Sequence, residues 1–200
     1  MKQLIITGFN RSGTTALTDL LNIDGRLFIT YEKKTYLAPK LRRKWNQRND
    51  LILKKRRVEY IGDKATRPYA GRMNWIMKEH PGLKIIFCLR DPIDIINSKY
   101  WKSVAADPIV EYVRCMSKFL YKEKPRIYFV RYEDAVLDIE GTIKGISEYL
   151  GIEDLNITGN NYRAVRRYGW KSKNFPKPTP ELLKIREQLG YESIGFRQWA

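Results

Sequence analysis

Histidine and cysteine are almost missing from this chain: its 200 residues include one histidine and two cysteines. Cys88 and Cys115 stand in apolar surroundings without CxxC spacing or a histidine cluster. That argues against a disulfide or a metal site and for reduced, buried thiols. Long apolar runs are missing as well. Nowhere do about 18 apolar residues follow one another, and the opening MKQLIITGF has neither the length nor the cleavage site of a signal peptide. A soluble, cytoplasmic protein without a membrane span is expected. No internal repeat or low-complexity segment is found. Acidic residues are in deficit, 22 against 38 Lys and Arg, which leaves a formal charge of +16. The surplus concentrates in KLRRKWNQR, in LKKRRVEY and in the last third of the chain. Such a field attracts anions, whether nucleic acid, a membrane surface, an acidic polymer or a small polyanionic cofactor, and sign alone does not choose among them.

What is present is enough apolar material for one core. With 43% hydrophobic and 12% aromatic residues, the chain can bury one compact domain and is too short for two full ones. One domain over residues 1–200 is expected. The β-branched run Gln3 to Thr7 reads as a strand. After a Gly-containing turn, Ser12 to Leu21 carries apolar residues at helical spacing. Leu27 to Tyr31 is a second strand, Thr35 to Lys55 a basic helix, and Arg67 to Glu79 a helix closed by His80-Pro81-Gly82. KIIFCL, residues 84–89, is a continuous apolar run of the kind buried on both faces of a parallel sheet. Asp91-Pro92 starts a helix through Tyr100, and Asp107-Pro108 starts another to about Lys122. RIYFVR is a further strand, Glu140 to Leu150 a further helix, and Pro180 to Leu189 the last one. Strands alternating with helices predict an α/β three-layer sandwich around a central, mainly parallel sheet, with ligands beyond the carboxyl ends of the strands.

The loop after the first strand is where chemistry is expected. Gly8-Phe9-Asn10-Arg11-Ser12-Gly13-Thr14-Thr15 joins a strand to a helix, so backbone N–H groups and the helix dipole converge on a point suited to phosphate or sulfate. A nucleoside triphosphatase loop reads G-x-x-x-x-G-K-[ST]. Here Thr14 follows the second glycine, and the cation stands earlier, at Arg11. GFNRSGTTALTDLL resembles the 5'-phosphosulfate loop of sulfotransferases that use 3'-phosphoadenosine 5'-phosphosulfate (PAPS). In that family a Lys or Arg precedes Ser/Thr-Gly-Thr-Thr. A second family signature is a strand ending in Arg, then Asp-Pro, then Ser eight residues after the Arg; FCLRDPIDIINSKY supplies Arg90 and Ser98 at that spacing. Gly62-Asp63-Lys64 is similar to the Glu/Asp-Lys element of members acting on sugars or proteins, and VRYEDAV to a Tyr-Glu-Asp turn near the nucleotide. The likeness covers roughly residues 3 to 150. It is nearer to the type acting on protein tyrosine or polysaccharide than to the small-molecule cytosolic type.

The resemblance implies roles. The amides and hydroxyls of Ser12, Gly13, Thr14 and Thr15 would hold the 5'-phosphosulfate, and Arg11 would neutralise charge on the bridging oxygen as the S–O bond breaks. Arg90 and Ser98 would bind the 3'-phosphate; as a bland alternative, Arg90 is an ion-pair partner of Asp91 or Asp94 and Ser98 faces solvent. Tyr132 would touch adenine or else belong to the core. Lys64 would reach the transferring sulfuryl group or an acidic acceptor. Glu32, at the end of the second strand and 21 residues after Arg11, is the candidate general base; its alternative is a solvated partner of Lys33 or Lys34. Asp63 would orient Lys64 or act as an alternative base, and His80 is a further rival base, although it precedes a strand, at the edge remote from the site. Arg166, Arg167, Lys171 and Lys173 resemble in composition the basic loop that closes over the nucleotide. No metal is required, because fixed donors can stabilise a loose, in-line transfer. The partners are then a nucleotide sulfate donor and an acceptor whose identity stays open. The basic stretches 33–57 and 164–177 favour an acidic glycan or peptide, and no specific nucleic acid is called for. Two rivals are a non-enzymatic polyanion binder, which leaves the paired motifs unexplained, and a divergent nucleotide kinase, which lacks its lysine.

Overall fold

The computed structural model describes residues 2–31, 57–66, 77–96, 98, 100, 107–120, 126–157 and 179–191. The chain divides into two compact units, one made of Met1–Leu89 and Lys124–Gly169, the other of Arg90–Glu123 and Trp170–Ala200. The predicted helices 35–55 and most of 67–79 lie outside the described residues.

The first unit is built on five parallel strands: β1 (Lys2–Gly8), β2 (Leu27–Tyr31), β3 (Tyr60–Thr66), β4 (Lys84–Leu89) and β5 (Ile127–Arg131), in the order β2-β3-β1-β4-β5. Every pairing is parallel, so all five strands end at one edge. The chain leaves β1 toward β2 and leaves β4 toward β5, which makes the gap between β1 and β4 the point where connections diverge. Ligands of open α/β sheets bind at such a point. Helices α1 (Thr14–Leu21), α4 (Tyr132–Leu137) and α5 (Ile139–Leu150) belong to the same unit. Leu17, Leu20 and Leu21 of α1 meet Leu4 and Ile6 of β1, Ile86 of β4 and Ile143 and Ile146 of α5 in one core cluster. Leu20 and Ile146 are wholly buried, and truncating either to alanine would cost about 2–5 kcal/mol.

β3 is where the sequence reading falls short. EYIG, residues 59–62, reads as a short extended stretch, but YIGDKAT carries glycine and two charges in its interior, a poor strand composition. The packing explains the glycine: a Cβ at Gly62 would stand 2.9 Å from the Leu4 carbonyl oxygen and 3.2 Å from Ile29 Cγ1. Glycine is what lets β3 lie between β1 and β2. Helix α4 was also unforeseen, since YEDAV read as a turn; Glu133 and Asp134 in its first turn suit the positive end of a helix.

The second unit holds α2 (Pro92–Ile96), α3 (Pro108–Leu120) and α6 (Pro180–Gln188). Each start signal is met by a cap: Asp91 accepts from the Ile93 N–H (2.9 Å), Asp107 from Ile109 (2.8 Å) and Thr179 from Leu182 (3.3 Å). Arg186 of α6 reaches Asp91 with Nε and Nη2 at 3.1 and 3.0 Å from Oδ2. Of the helix expected through Tyr100, α2 covers Pro92–Ile96, Ser98 is a bend, and Tyr100 is helical again. The Ser98 N–H bonds the Ile95 carbonyl at 3.1 Å, an i to i−3 closure that tightens the chain into a bend. Among the described residues no helix is long and apolar enough to cross a membrane.

Candidate active site

The carboxyl edge of β1 runs into the loop of residues 8–13. Gly8 must be glycine, because a Cβ there would lie 2.5 Å from both the Cys88 carbonyl oxygen and the Ser12 Oγ. The backbone turns at Arg11, whose φ of 76° is left-handed and whose side chain is exposed. It turns again at Gly13, φ 91°. A Cβ on Gly13 would fall 2.4 Å from Cδ2 of the Tyr132 ring, so conformation and space both demand glycine.

Gly13 is the N-cap of α1 and no side chain caps that helix. The first helical bond is from the Leu17 N–H to the Gly13 carbonyl, 3.0 Å. The amides of Gly13, Thr14, Thr15 and Ala16 precede it and have no acceptor inside the helix. Together with the helix dipole they form an anion cradle. Ser12 is turned inward: its N–H bonds the Phe9 carbonyl at 3.0 Å, and its hydroxyl is buried with no hydrogen-bond partner among the described residues. The Ser12 amide expected on the anion is therefore already engaged. Beneath the loop is a small apolar cavity lined by Ser12, Ala16, Cys88, Val130 and Tyr132. Burial pushes the Cys88 thiol up, against the pull of the Lys64 charge, so it stays neutral and is no nucleophile.

Lys64 supplies the cation at the cradle from the neighbouring strand. It pairs with Ile6 of β1 on one side and with Tyr31 of β2 on the other. Though only 6% exposed, its Nζ donates to Thr15 Oγ1 at 3.2 Å, which leaves the Thr15 hydroxyl proton for an anion. The same ammonium stands 5.9 Å from the centroid of the Tyr31 ring, and the Tyr31 hydroxyl donates to Asp19 of α1. Asp63, adjacent in the strand, points to the opposite face, where Thr30 Oγ1 donates to its Oδ1 at 2.8 Å. The loop, Lys64 and Tyr132 thus come together, and Asp63 does not join them.

The remaining candidates stand elsewhere. His80 precedes β4 at the amino edge, its carbonyl accepting from Arg126 at 3.1 Å. In the second unit the Arg90 Nε is 3.7 Å from Asp94 Oδ2, as the bland alternative supposed, while the Ser98 hydroxyl is buried without a hydrogen-bond partner among the described residues. Glu32, Arg166, Arg167, Lys171 and Lys173 lie outside the described residues. Tyr31 and Asp19 went unnoticed in the sequence. Asp19 lies one helical turn beyond Thr15, a spacing that places both on one face, but the pairing of Tyr31 with Lys64 required the register.

Among the described residues no group of three or more His, Cys, Asp or Glu could hold a metal. A family model described as sulfotransferase domain matches residues 1–166. No curated protein matches this chain. Among solved structures it is similar to the sulfotransferase domain from the Synechococcus PCC 7002 olefin synthase, at 15% identity and TM-score 0.62, covering 94% of each chain. It is similar to the sulfotransferase domain from the curacin biosynthetic pathway, at 16% identity and TM-score 0.61, covering 94% of this chain and 97% of that one. Mouse sulfotransferase SULT7A1, solved in complex with PAP, is similar at 17% identity and TM-score 0.55, covering 84% of this chain and 65% of that one.

Proposed function

This chain belongs to the sulfotransferase domain family, and from that premise we propose that it moves a sulfuryl group from PAPS to a hydroxyl or amine, an acidic glycan or peptide being the acceptor its charge favours. The observation that carries the reading is the loop of residues 8–15. It offers uncapped helix amides, lacks the triphosphatase lysine, and receives a cation from β3 at Thr15.

In this mechanism the amides of Gly13, Thr14 and Thr15 and the threonine hydroxyls take the 5'-phosphosulfate, while Ser12 closes the turn beneath them. The acceptor oxygen or nitrogen attacks sulfur in line as the bond to the bridging phosphate oxygen breaks. The electron pair leaves with 3'-phosphoadenosine 5'-phosphate (PAP), and the acceptor proton passes to Glu32. Arg11 and Lys64 answer charge on the bridging oxygen and the sulfuryl group. Arg90 and Ser98 take the 3'-phosphate; an unpartnered buried hydroxyl such as that of Ser98 costs stability unless a ligand satisfies it. Tyr132 serves the adenine side of the same site. Fixed donors of this kind need no metal ion. The mouse enzyme solved with PAP supports the choice of nucleotide.

Calorimetric titration with PAP, ADP and ATP at fixed salt, on wild type and Arg90→Ala, tests the donor. We expect PAP to bind at about micromolar Kd, ADP and ATP to bind far more weakly, and the variant to lose the distinction. Equal affinity for all three, falling with salt, would instead indicate a general polyanion binder.

A further inference from the structure

We infer that Tyr31, held by Asp19, is a positioning residue that sets the Lys64 ammonium against Thr15, so that Asp19, Tyr31 and Lys64 act as one unit in sulfuryl transfer. The inference rests on the functional reading above.

A lysine has a flexible four-carbon stem, and nothing in its covalent structure places its ammonium at one oxygen. At Lys64 the neighbours do so. Tyr31 is the residue directly opposite it across the β2–β3 pair, hence on the same face of the sheet. The ammonium lies 5.9 Å from the ring centroid, within the range of a cation–π attraction. Lys64 is buried, while Tyr31 beside it is 42% exposed. The ring itself is held at its far end, where the hydroxyl donates to Asp19. Asp19 and Thr15 occupy one face of α1, four residues apart. The helix that presents the cradle therefore also fixes the ring that aims the cation. A loop without its own lysine after Gly13 receives a second cation, beside Arg11, from another strand, and this arrangement aims it. Tyr31 is also the residue before Glu32, the proposed base.

The test uses the full chain with Tyr31→Leu, Tyr31→Phe, Asp19→Ala and the Asp19→Ala/Tyr31→Phe pair. With 13C-labelled lysine, and the Lys64 signal assigned through Lys64→Arg, the Lys64 side-chain resonances should carry a ring-current displacement. Tyr31→Leu should abolish it and Tyr31→Phe retain it in part. Conversion of PAPS to PAP with water as acceptor should slow about tenfold in kcat for Tyr31→Leu, with KM for PAPS nearly unchanged. The pair should be no slower than either of its single variants, since both break the same bond. A Lys64 signal indifferent to Tyr31→Leu, or losses in the pair that add, would overturn the inference. If wild type neither binds PAP nor consumes PAPS, the functional reading falls, while the Lys64 resonance still decides whether Tyr31 places the ammonium.

Discussion

At the amino end of the sheet polar groups find partners within the chain; at the carboxyl end a helix start and a buried hydroxyl lack one among the described residues. Before β2, Asp24 is 3% exposed and accepts from Nε and Nη2 of Arg26 at 3.0 and 2.7 Å and from the Asn156 N–H at 2.7 Å. Arg26 goes on to the carbonyls of Glu153 and Asp154. Before β5, Arg126 donates to the carbonyls of Met77, His80 and Pro81, and the Tyr149 hydroxyl joins β4 to the residue ahead of β5. At the opposite end α1 starts without a side-chain cap, the Ser12 hydroxyl is buried without a partner among the described residues, and a lysine is buried against a threonine. One end is finished in the free protein. The other keeps an uncapped helix start and an unpartnered buried hydroxyl among the described residues, and the proposed function places an anion there.

The sharpest way to test that difference is to remove the buried cation. Lys64→Met should lower PAPS turnover by about a hundredfold and leave Tm unchanged or higher, because a buried ammonium costs desolvation that an apolar isostere does not. A fall in Tm with turnover preserved would show Lys64 to be scaffolding after all. At the amino end Asp24→Ala should act in reverse. It leaves Arg26 without its carboxylate and should destabilise by about 3 kcal/mol, some 6–12 °C in Tm, with kcat of the folded fraction intact. Burial alone would raise the Asp24 pKa, yet the hydrogen bonds from Arg26 and Asn156 outweigh it and hold the carboxyl below its usual value. A depressed folded pKa means that the unfolded chain binds the proton more readily. The stabilisation is thus full above the unfolded value near ~3.9 and is lost as pH falls through the folded one. Acid unfolding followed by circular dichroism should show this slope in wild type and lose it in Asp24→Asn. The smallest effect is expected at Ser12. Ser12→Ala removes an unsatisfied hydroxyl and should raise stability by about 1 kcal/mol while weakening PAP binding only a few-fold in calorimetry.

How much of this could be read beforehand depended on whether the signal was local. β1 and β4 are apolar runs buried in the sheet, and the sequence showed both. Asp91, Asp107 and Thr179 cap their helices from adjacent positions, so those starts were legible too. The loop of residues 8–15 carries its chemistry in consecutive residues and was recognised as an anion cradle that lacks a lysine. β3 was seen only in part, because Gly62, Asp63 and Lys64 are explained by what lies across the sheet from them. Tyr31 gave no sign of a role for the same reason: its partner is 33 residues away and becomes its neighbour only through the β2–β3 register. Ser12 looked like an anion donor until the Phe9 turn and the buried hydroxyl turned it inward.

The strand order has a consequence for the order of events in synthesis. β1 is flanked by β3 and β4, with Lys2 opposite Tyr60 and Leu4 opposite Lys84. The strand that carries the anion loop is therefore made before either of its neighbours exists. At about 5–20 residues per second, it waits several seconds for the first flank and longer for the second. Contacts this distant along the chain form slowly in refolding as well, so the cradle is translated ahead of both strands that flank it and takes shape only after them.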